Sequence, residues 1–194
     1  MSPVVVGADG LARCPWGASP PEYTRYHDEE WGRPVTGEQA LFERLSLEAF
    51  QSGLSWLTIL RKRDGFRAAF AGFDPEQVAR FDDRDEARLL ADAGIVRNVA
   101  KVRATIGNAR AVVALRADGG LEQLVQAHRP PPRSGPRPLH LEDVPATTPA
   151  STALSKELKR RGFRVVGPTT AYAFMQSMGL VDDHLAGCEV SGRG

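Results

Sequence analysis

Glu48 is the residue whose place in the sequence most directly indicates chemistry. It follows Leu41 by seven residues and Leu45 by three, so helical spacing directs its carboxyl group along an apolar face. A buried carboxylate must be paired or serve a site, and a glycine turn at 52–55 and then Trp56 follow directly. We therefore expect a pocket here. A frayed helix end that leaves Glu48 in water is the alternative.

Aromatic side chains are scarce, at 7% of the chain, yet all three tryptophans lie early. They are Trp16, Trp31 and Trp56, and Tyr23 and Tyr26 lie among them. Aromatic walls beside a carboxylate suit a flat, cationic guest. Packing in the core is the alternative, and it is more expected for Trp31 than for the other aromatic residues.

Two cysteines and two of the four histidines could bind a metal. His184 precedes Cys188 by four residues, and 12 residues separate Cys14 from His27. Two thiolates and two imidazoles can complete a closed tetrahedral zinc site, here one that joins the two ends of the chain. A disulfide between Cys14 and Cys188, or two buried free thiols, would account for the same residues. The start of the chain lacks a secretory signal, which weighs against the disulfide.

Charge is balanced overall but segregated along the chain. There are 25 basic and 24 acidic residues, a net charge of +1, which by itself does not indicate a nucleic-acid-binding protein. The segments 61–67, 93–117 and 155–167 are rich in bases, whereas 74–92 carries seven acids against three bases. Local basic patches can bind a polyanion. Solvated helix faces are the alternative for each segment.

The hydrophobic pattern is helical almost throughout, which predicts an all-α fold. Arg129–Ala150 contains seven of the 14 prolines and is predicted to be an irregular, mobile internal loop. No apolar run is long enough to span a membrane. The predicted helices are one opened by a Thr36/Gln39 capping box and running to Phe50, then Ser55–Arg63, Gly65–Ala71, one beginning at Asp74-Pro75, Asp82–Ala91, Val99 to about Asp118, Leu121–Ala127, Thr148–Gly162 and Pro168–Gly179.

The segment 154–179 reads as helix, tight turn and helix. Gly162 and Gly167 permit an unusual backbone in the turn, and Gly167 lies where the second helix begins. The free N–H groups of that helix end, with Arg161 and Arg164 nearby, could bind a DNA phosphate without reading the base sequence. An ordinary helical corner is the alternative.

Together these residues resemble the 3-methyladenine DNA glycosylase I family, a branch of the helix-hairpin-helix DNA glycosylases. The resemblance covers residues 13–188 in order. Its motifs are Arg13-Cys14-x-Trp16, Tyr26-His27-Asp28-x-Glu30-Trp31-Gly32, Leu47-Glu48-x-Phe50-Gln51-x-Gly53-Leu54-Ser55-Trp56, Asp92-Ala93-Gly94-Ile95-Val96-Arg97, Gly107-Asn108-Ala109, Leu154-Ser155-Lys156, Arg161-Gly162-Phe163, Val166-Gly167, Phe174-Met175-Gln176 and Asp183-His184.

The resemblance implies a repair enzyme that flips N3-methyladenine out of alkylated double-stranded DNA and hydrolyses its N-glycosidic bond. It implies that Glu48 recognises the base and that Gly53 and Leu54 approach the gap the base leaves. Since no lysine is singled out as a nucleophile, we expect a monofunctional glycosylase without strand cleavage. The matching pocket residues are Tyr26, Trp56 and Trp16, with Tyr23 beside them, and the matching ligands of a structural Zn²⁺ are Cys14, His27, His184 and Cys188.

The expected organisation is an N-terminal extension (1–12), one glycosylase domain (13–190) and a tail (191–194). We expect a monomer in the cytoplasm, associated with the nucleoid, without a nucleotide cofactor or membrane contact. Asp182 or Asp183 could assist the chemistry, or could instead orient the His184 segment. The alternative functions are a non-catalytic, zinc-stabilised helix-hairpin-helix DNA-binding module and a helical interaction protein with a terminal disulfide.

Overall fold

The computed structural model describes residues 4–190, which form helices and one small β-hairpin. The predicted tail (191–194) and the first three residues of the predicted extension lie outside the described residues. The helices are α1 (Pro21–Glu29), α2 (Glu38–Gln51), α3 (Trp56–Ala69), α4 (Pro75–Ala79), α5 (Asp83–Ala91), α6 (Val99–Leu115), α7 (Gly120–Gln126), α8 (Pro149–Arg160) and α9 (Pro168–Ser177). Strand β1 (Val5–Val6) pairs antiparallel with β2 (Ala12–Arg13). Over residues 4–190, no helix is both long and apolar enough to cross a membrane.

Helix α2 lies at the centre of the fold. Eight of its 14 residues are buried, and it packs against α3, α6, α7 and α9. Leu41, Phe42 and Leu45 are fully buried in the main hydrophobic core. Because α2 is enclosed on most sides, a polar side chain near its C-terminal end also lies inside the protein.

Helices α8 and α9 form a hairpin whose turn, 161–167, is fixed by buried polar side chains. Gly162 (φ 93°) and Val165 (φ 55°) have left-handed backbone conformations, which a β-branched residue adopts only when its surroundings hold it there. Asn108 of α6 supplies that hold, because its amide donates to the carbonyl of Arg164 (3.0 Å) and accepts from its N–H (2.8 Å). The Ser155 hydroxyl donates to the carbonyl of Val166 at 2.6 Å.

The all-α prediction is confirmed, but two local predictions need correction. Thr36 does not cap α2; Gly37 is the N-cap, and the Gln39 amide instead donates to the carbonyl of Gly72 at 2.8 Å. The two helices predicted at 55–63 and 65–71 are one helix, α3, which continues through Gly65. A Cβ at Gly65 would lie 2.5 Å from the carbonyl oxygen of Gly94, so glycine is required there for close packing and does not end the helix.

Two elements were not predicted at all. Helix α1 begins at Pro21, a favourable first helical residue, with Glu22 in its first turn. The β-hairpin involves part of the predicted extension. The proline-rich segment is irregular as predicted, with one 3₁₀ turn at Leu141–Asp143.

Candidate active site

One cavity of about 450 Å³ opens where α1, α2, α3 and α9 meet. Its size is that of sites that bind small organic molecules. Each helix contributes side chains, and the proline-rich segment closes one side. The lining residues are Trp16, Tyr23, Tyr26, Trp31, Glu48, Gln51, Trp56, Leu141, Val144, Pro145, Ala146, Thr169, Tyr172, Ala173, Gln176 and Asp183.

Glu48 lies in the wall of this cavity with only 5% of its surface exposed, so the structure does not leave it at a frayed helix end. Burial raises its pKa from the ordinary 4.5 to about 8, against the opposing effects of the Arg44 charge and the Ser177 hydroxyl. In the free protein near neutral pH the carboxyl group therefore retains its proton. A cation entering the cavity would favour the ionised form, so the site responds to the charge of its guest.

The aromatic side chains predicted to form a pocket do come together around Glu48. Tyr26 contacts Trp56 (ring centroids 5.2 Å apart) and Trp16 (6.3 Å), and Trp16 meets the ring of Tyr23 edge-on at 5.9 Å. Burial is the main cause that raises the pKa of Tyr26, and the nearby negative charge of Glu48 adds to it, so the Tyr26 hydroxyl stays protonated. These rings offer flat apolar surfaces for a planar guest.

Two of these aromatic residues also carry polar groups, the indole N–H of Trp56 and the hydroxyl of Tyr23. The indole N–H of Trp56 is buried and has no hydrogen-bond partner among residues 4–190. The Tyr23 hydroxyl accepts from the N–H of Leu57 at 3.0 Å and so caps the start of α3. Tyr23 therefore fixes the position of Trp56 as well as lining the cavity.

Core packing was the alternative for these aromatic residues, more expected for Trp31 than for the others, and the structure places Trp31 in the cavity wall. Its ring packs beside both histidines proposed as metal ligands, with its centroid 4.6 Å from that of His184 and 6.2 Å from that of His27. Trp16 contacts the ring of His27 as well, at 5.0 Å. The aromatic wall is thus supported from behind by the Cys/His cluster.

Three of the four predicted metal ligands converge. The donor atoms of Cys14, His27 and Cys188, all buried, lie within 4.8 Å of one another. The fourth, His184, is adjacent, with its ring centroid 5.1 Å from that of His27. The structure contains no disulfide between Cys14 and Cys188.

The surroundings of the two histidines fit a metal ion. Asp28 contacts Nδ1 of His27 and Asp182 contacts Nδ1 of His184, each at 2.8 Å, which directs both Nε2 atoms inward. Nε2 of His184 is buried and has no hydrogen-bond partner in the described part of the chain. An inward imidazole nitrogen with an outer carboxylate partner is the usual arrangement of a zinc ligand.

Asp182 and Asp183 have different surroundings. Asp182 accepts from the backbone N–H of His184 at 3.0 Å as well as contacting its ring, so it orients that histidine. Asp183 is buried and lines the cavity, where it accepts from the hydroxyl of Tyr172 (2.5 Å) and the amide of Gln176 (2.9 Å).

The predicted DNA-contacting residues lie in two turns at the edge of the cavity. Gln51 and Trp56, which line the cavity, flank the turn that carries Gly53 (φ 80°) and Leu54, and the Leu54 side chain is 39% exposed. On the hairpin, Gly167 is the N-cap of α9 and no side chain caps that helix. Apart from its two chain neighbours, no residue within 4–190 has an atom within 4 Å of where the Cβ of Gly167 would be.

The two predicted hairpin arginines differ in availability. Arg161 forms ion pairs with Glu157 and Asp118, which lowers its availability for a phosphate. Arg164 is exposed and forms no ion pair within residues 4–190.

The basic segments of the sequence are partly neutralised in space. Arg103 bonds Glu86 and Arg116 bonds Glu76, so two bases of 93–117 pair with the acid-rich 74–92 segment. The other bases of 93–117 form no ion pair within residues 4–190, so this segment keeps part of its positive charge. Within the described residues, three hairpin bases lack an ion-pair partner: Lys156, Lys159 and Arg164.

Several cavity residues were not found from the sequence. Tyr172 and Gln176 lie four residues apart on α9, a spacing that marks one helix face but does not distinguish the core from a pocket. Leu141 and Val144 come from the proline-rich segment, whose irregular backbone carries no periodic signal that could place them.

Comparison with known proteins extends these observations. The family model for methyladenine glycosylase matches residues 16–191. The DNA-3-methyladenine glycosylase 1 of Escherichia coli K12 is 46% identical over 184 residues, covering 92% of this chain and 96% of that protein. A crystal structure of 3-methyladenine DNA glycosylase I has a TM-score of 0.85 at 44% identity, covering 91% and 98%. Another, of a variant in complex with 3-methyladenine, has a TM-score of 0.83 at 35% identity, covering 92% and 96%.

Proposed function

The chain belongs to the methyladenine glycosylase family, and from that membership we propose that it removes N3-methyladenine from alkylated DNA by hydrolysing the N-glycosidic bond. The observation that carries the proposal is the buried carboxyl group of Glu48 in an aromatic-walled cavity. A solved relative in complex with 3-methyladenine supports the choice of base.

Recognition rests on charge and shape. N3-methyladenine is cationic in DNA, and a carboxylate in a poorly solvated cavity interacts far more strongly with a cation than with neutral adenine. Glu48 accepts hydrogen bonds from the edge of the base, while Tyr26 and Trp16 contact its faces. Trp56 shapes the end of the cavity.

The two turns at the rim would hold the DNA. A base in a duplex must be rotated out of the stack, at a cost of about a few kcal/mol. Leu54, on the Gly53 turn, fills the gap that remains, and the N-terminus of α9 at Gly167 binds a phosphate. Arg164 adds a cation to the hairpin, and Arg161 contributes less because of its ion pairs.

The chemical step needs little acid catalysis. The bond between C1′ and N9 breaks with its electrons passing to the cationic base, which leaves as neutral 3-methyladenine. Water then adds to the oxocarbenium-like sugar at C1′ and loses a proton to solvent. No lysine is among the described residues that line the cavity, in keeping with a monofunctional enzyme that does not form an imine or cleave the strand.

The donor set at the chain ends suits Zn²⁺. Cys14, His27, His184 and Cys188 would hold it, and a bound zinc ion would supply a structural cross-link behind the aromatic wall. All cavity residues come from one chain, so a monomer suffices, and hydrolysis requires no nucleotide cofactor. The substrate places the enzyme with the cell's DNA.

A non-catalytic DNA-binding module would retain the hairpin but would have no use for Glu48. Burial of its carboxyl group is costly at neutral pH, which favours a role in the reaction.

The test is chromatography of the bases released from methylated duplex DNA. Wild-type protein is expected to release 3-methyladenine, and Glu48→Gln to do so at least about 100-fold more slowly, within the range of single catalytic groups. Glu43→Gln is the matched control, because Glu43 lies on the same helix but pairs with Arg67 away from the cavity. Wild-type protein that releases no methylated base would refute the proposal.

A further inference from the structure

The proline-rich segment forms one wall of the cavity rather than a free loop. Leu141, Val144, Pro145 and Ala146 all line the cavity. The wall is fastened to the 182–186 segment at the carbonyl of Pro138, which accepts from Ala186 N–H at 2.8 Å. Its position is therefore set by contacts with the residues around His184.

Asp183 lines the cavity and also bonds the proline-rich segment. One carboxylate oxygen accepts from the guanidinium of Arg133, which comes from the proline-rich segment. The other accepts from Tyr172 (2.5 Å) and Gln176 (2.9 Å), which line the cavity beside the base site. The Asp183 side chain is fully buried, whereas 41% of the Arg133 side chain is exposed. A buried carboxylate needs such partners, and here both oxygens are occupied.

Resting on the proposed function, we propose that Arg133 and Asp183 are positioning residues for the base. Their ion pair holds the wall at 139–146 against the cavity, and Asp183 fixes the side chains of Tyr172 and Gln176 in the cavity lining. A carboxylate that already accepts from three donors, one of them a guanidinium, is a weak base toward the attacking water. Asp183 therefore acts on binding of the base and not on the chemical step.

Hydrogen exchange and kinetics test this with Arg133→Gln. The matched control is Arg129→Gln, because Arg129 lies in the same segment but bonds only Gln126. We expect amide exchange at 139–147 in the free protein to accelerate about tenfold in Arg133→Gln alone. We expect KM for methylated DNA to rise about tenfold with kcat within about threefold, and Arg133→Lys to recover part of the loss.

Asp183→Asn separates the two roles of the carboxylate. The positioning role predicts a raised KM with kcat nearly kept, whereas activation of water would lower kcat about 100-fold at unchanged KM. That second pattern, or unchanged exchange in Arg133→Gln, would overturn the inference. If wild-type protein releases no methylated base, the proposed function fails, and the exchange measurement still decides whether Arg133 holds the wall.

Discussion

Replacement of Glu48 by glutamine is expected to stabilise the protein at neutral pH while it lowers activity. The folded protein holds the pKa of Glu48 near 8, above the ordinary 4.5. Between these values the folded protein keeps a proton that the unfolded chain loses, so stability falls as pH rises through this window. Glutamine does not ionise, so the stability of the variant lacks this decrease with pH.

The size of the effect follows from the two pKa values. Ionisation of a carboxyl group of pKa 4.5 stabilises the unfolded chain by about 1.4 kcal/mol at pH 5.5 and by about 4 kcal/mol at pH 7.5. In the folded protein, where the pKa is near 8, ionisation contributes only about 0.2 kcal/mol at pH 7.5. The wild-type protein should therefore lose about 2.5 kcal/mol relative to Glu48→Gln over these two pH units. With 5% of Glu48 exposed, solvent screening is slight.

Urea unfolding of both proteins at pH 5.5 and 7.5 measures this difference. Subtraction between proteins removes the titration of groups they share, including the Cys/His cluster. Glu43→Gln, at a surface ion pair with Arg67, should show no such pH-dependent gain. If the stability difference between wild type and Glu48→Gln stays constant within about 0.5 kcal/mol across the two pH values, the buried, protonated state assigned to Glu48 is wrong.

Three further outcomes follow from the structure. Zinc removal by a chelator, or Cys188→Ser, should lower the melting temperature by about 10 °C in calorimetry, as loss of a structural metal does; an unchanged value with no zinc in the isolated protein would contradict the metal site. Asn108→Leu should cost about 2–4 kcal/mol in urea unfolding, since it leaves both polar groups of Arg164 unbonded at a strained turn, and a loss below about 0.5 kcal/mol would show that the turn holds itself. Leu54→Ala should slow base release from methylated duplex about tenfold and from methylated single strands much less, whereas equal effects would argue against a role in filling the duplex gap.

The sequence was most informative where periodicity and caps are local. The spacing of Val99, Val102, Ile106 and Val113 predicted α6, and the Asp74 and Asp82 caps marked α4 and α5. The continuation of α3 through Gly65 could not be predicted, because that glycine is required by close packing against the backbone of Gly94, some thirty residues away.

Within the candidate site, the residues that depend on local sequence could be predicted and those held by distant contacts could not. Glu48 could be found because its position depends on one helix and its neighbours along the chain. Arg133 and Arg137, which precede the wall at 139–146, form ion pairs with residues far along the chain, which no periodic pattern encodes. The extent of the basic patches could not be predicted for a related reason, since some bases pair in space with acids of another segment, as Arg103 does with Glu86.

The most direct test of the central claim is the pH dependence of kcat/KM for release of 3-methyladenine from methylated duplex. This parameter reports ionisation of the free enzyme, where the pKa of Glu48 is about 8, and the methylated base stays cationic throughout. If the carboxylate recognises the cation, kcat/KM for the wild-type protein rises about 50-fold from pH 6 to pH 8, and Glu48→Gln is slow and insensitive to pH over that range. A flat wild-type profile, or an equal rise in Glu48→Gln, would contradict the account.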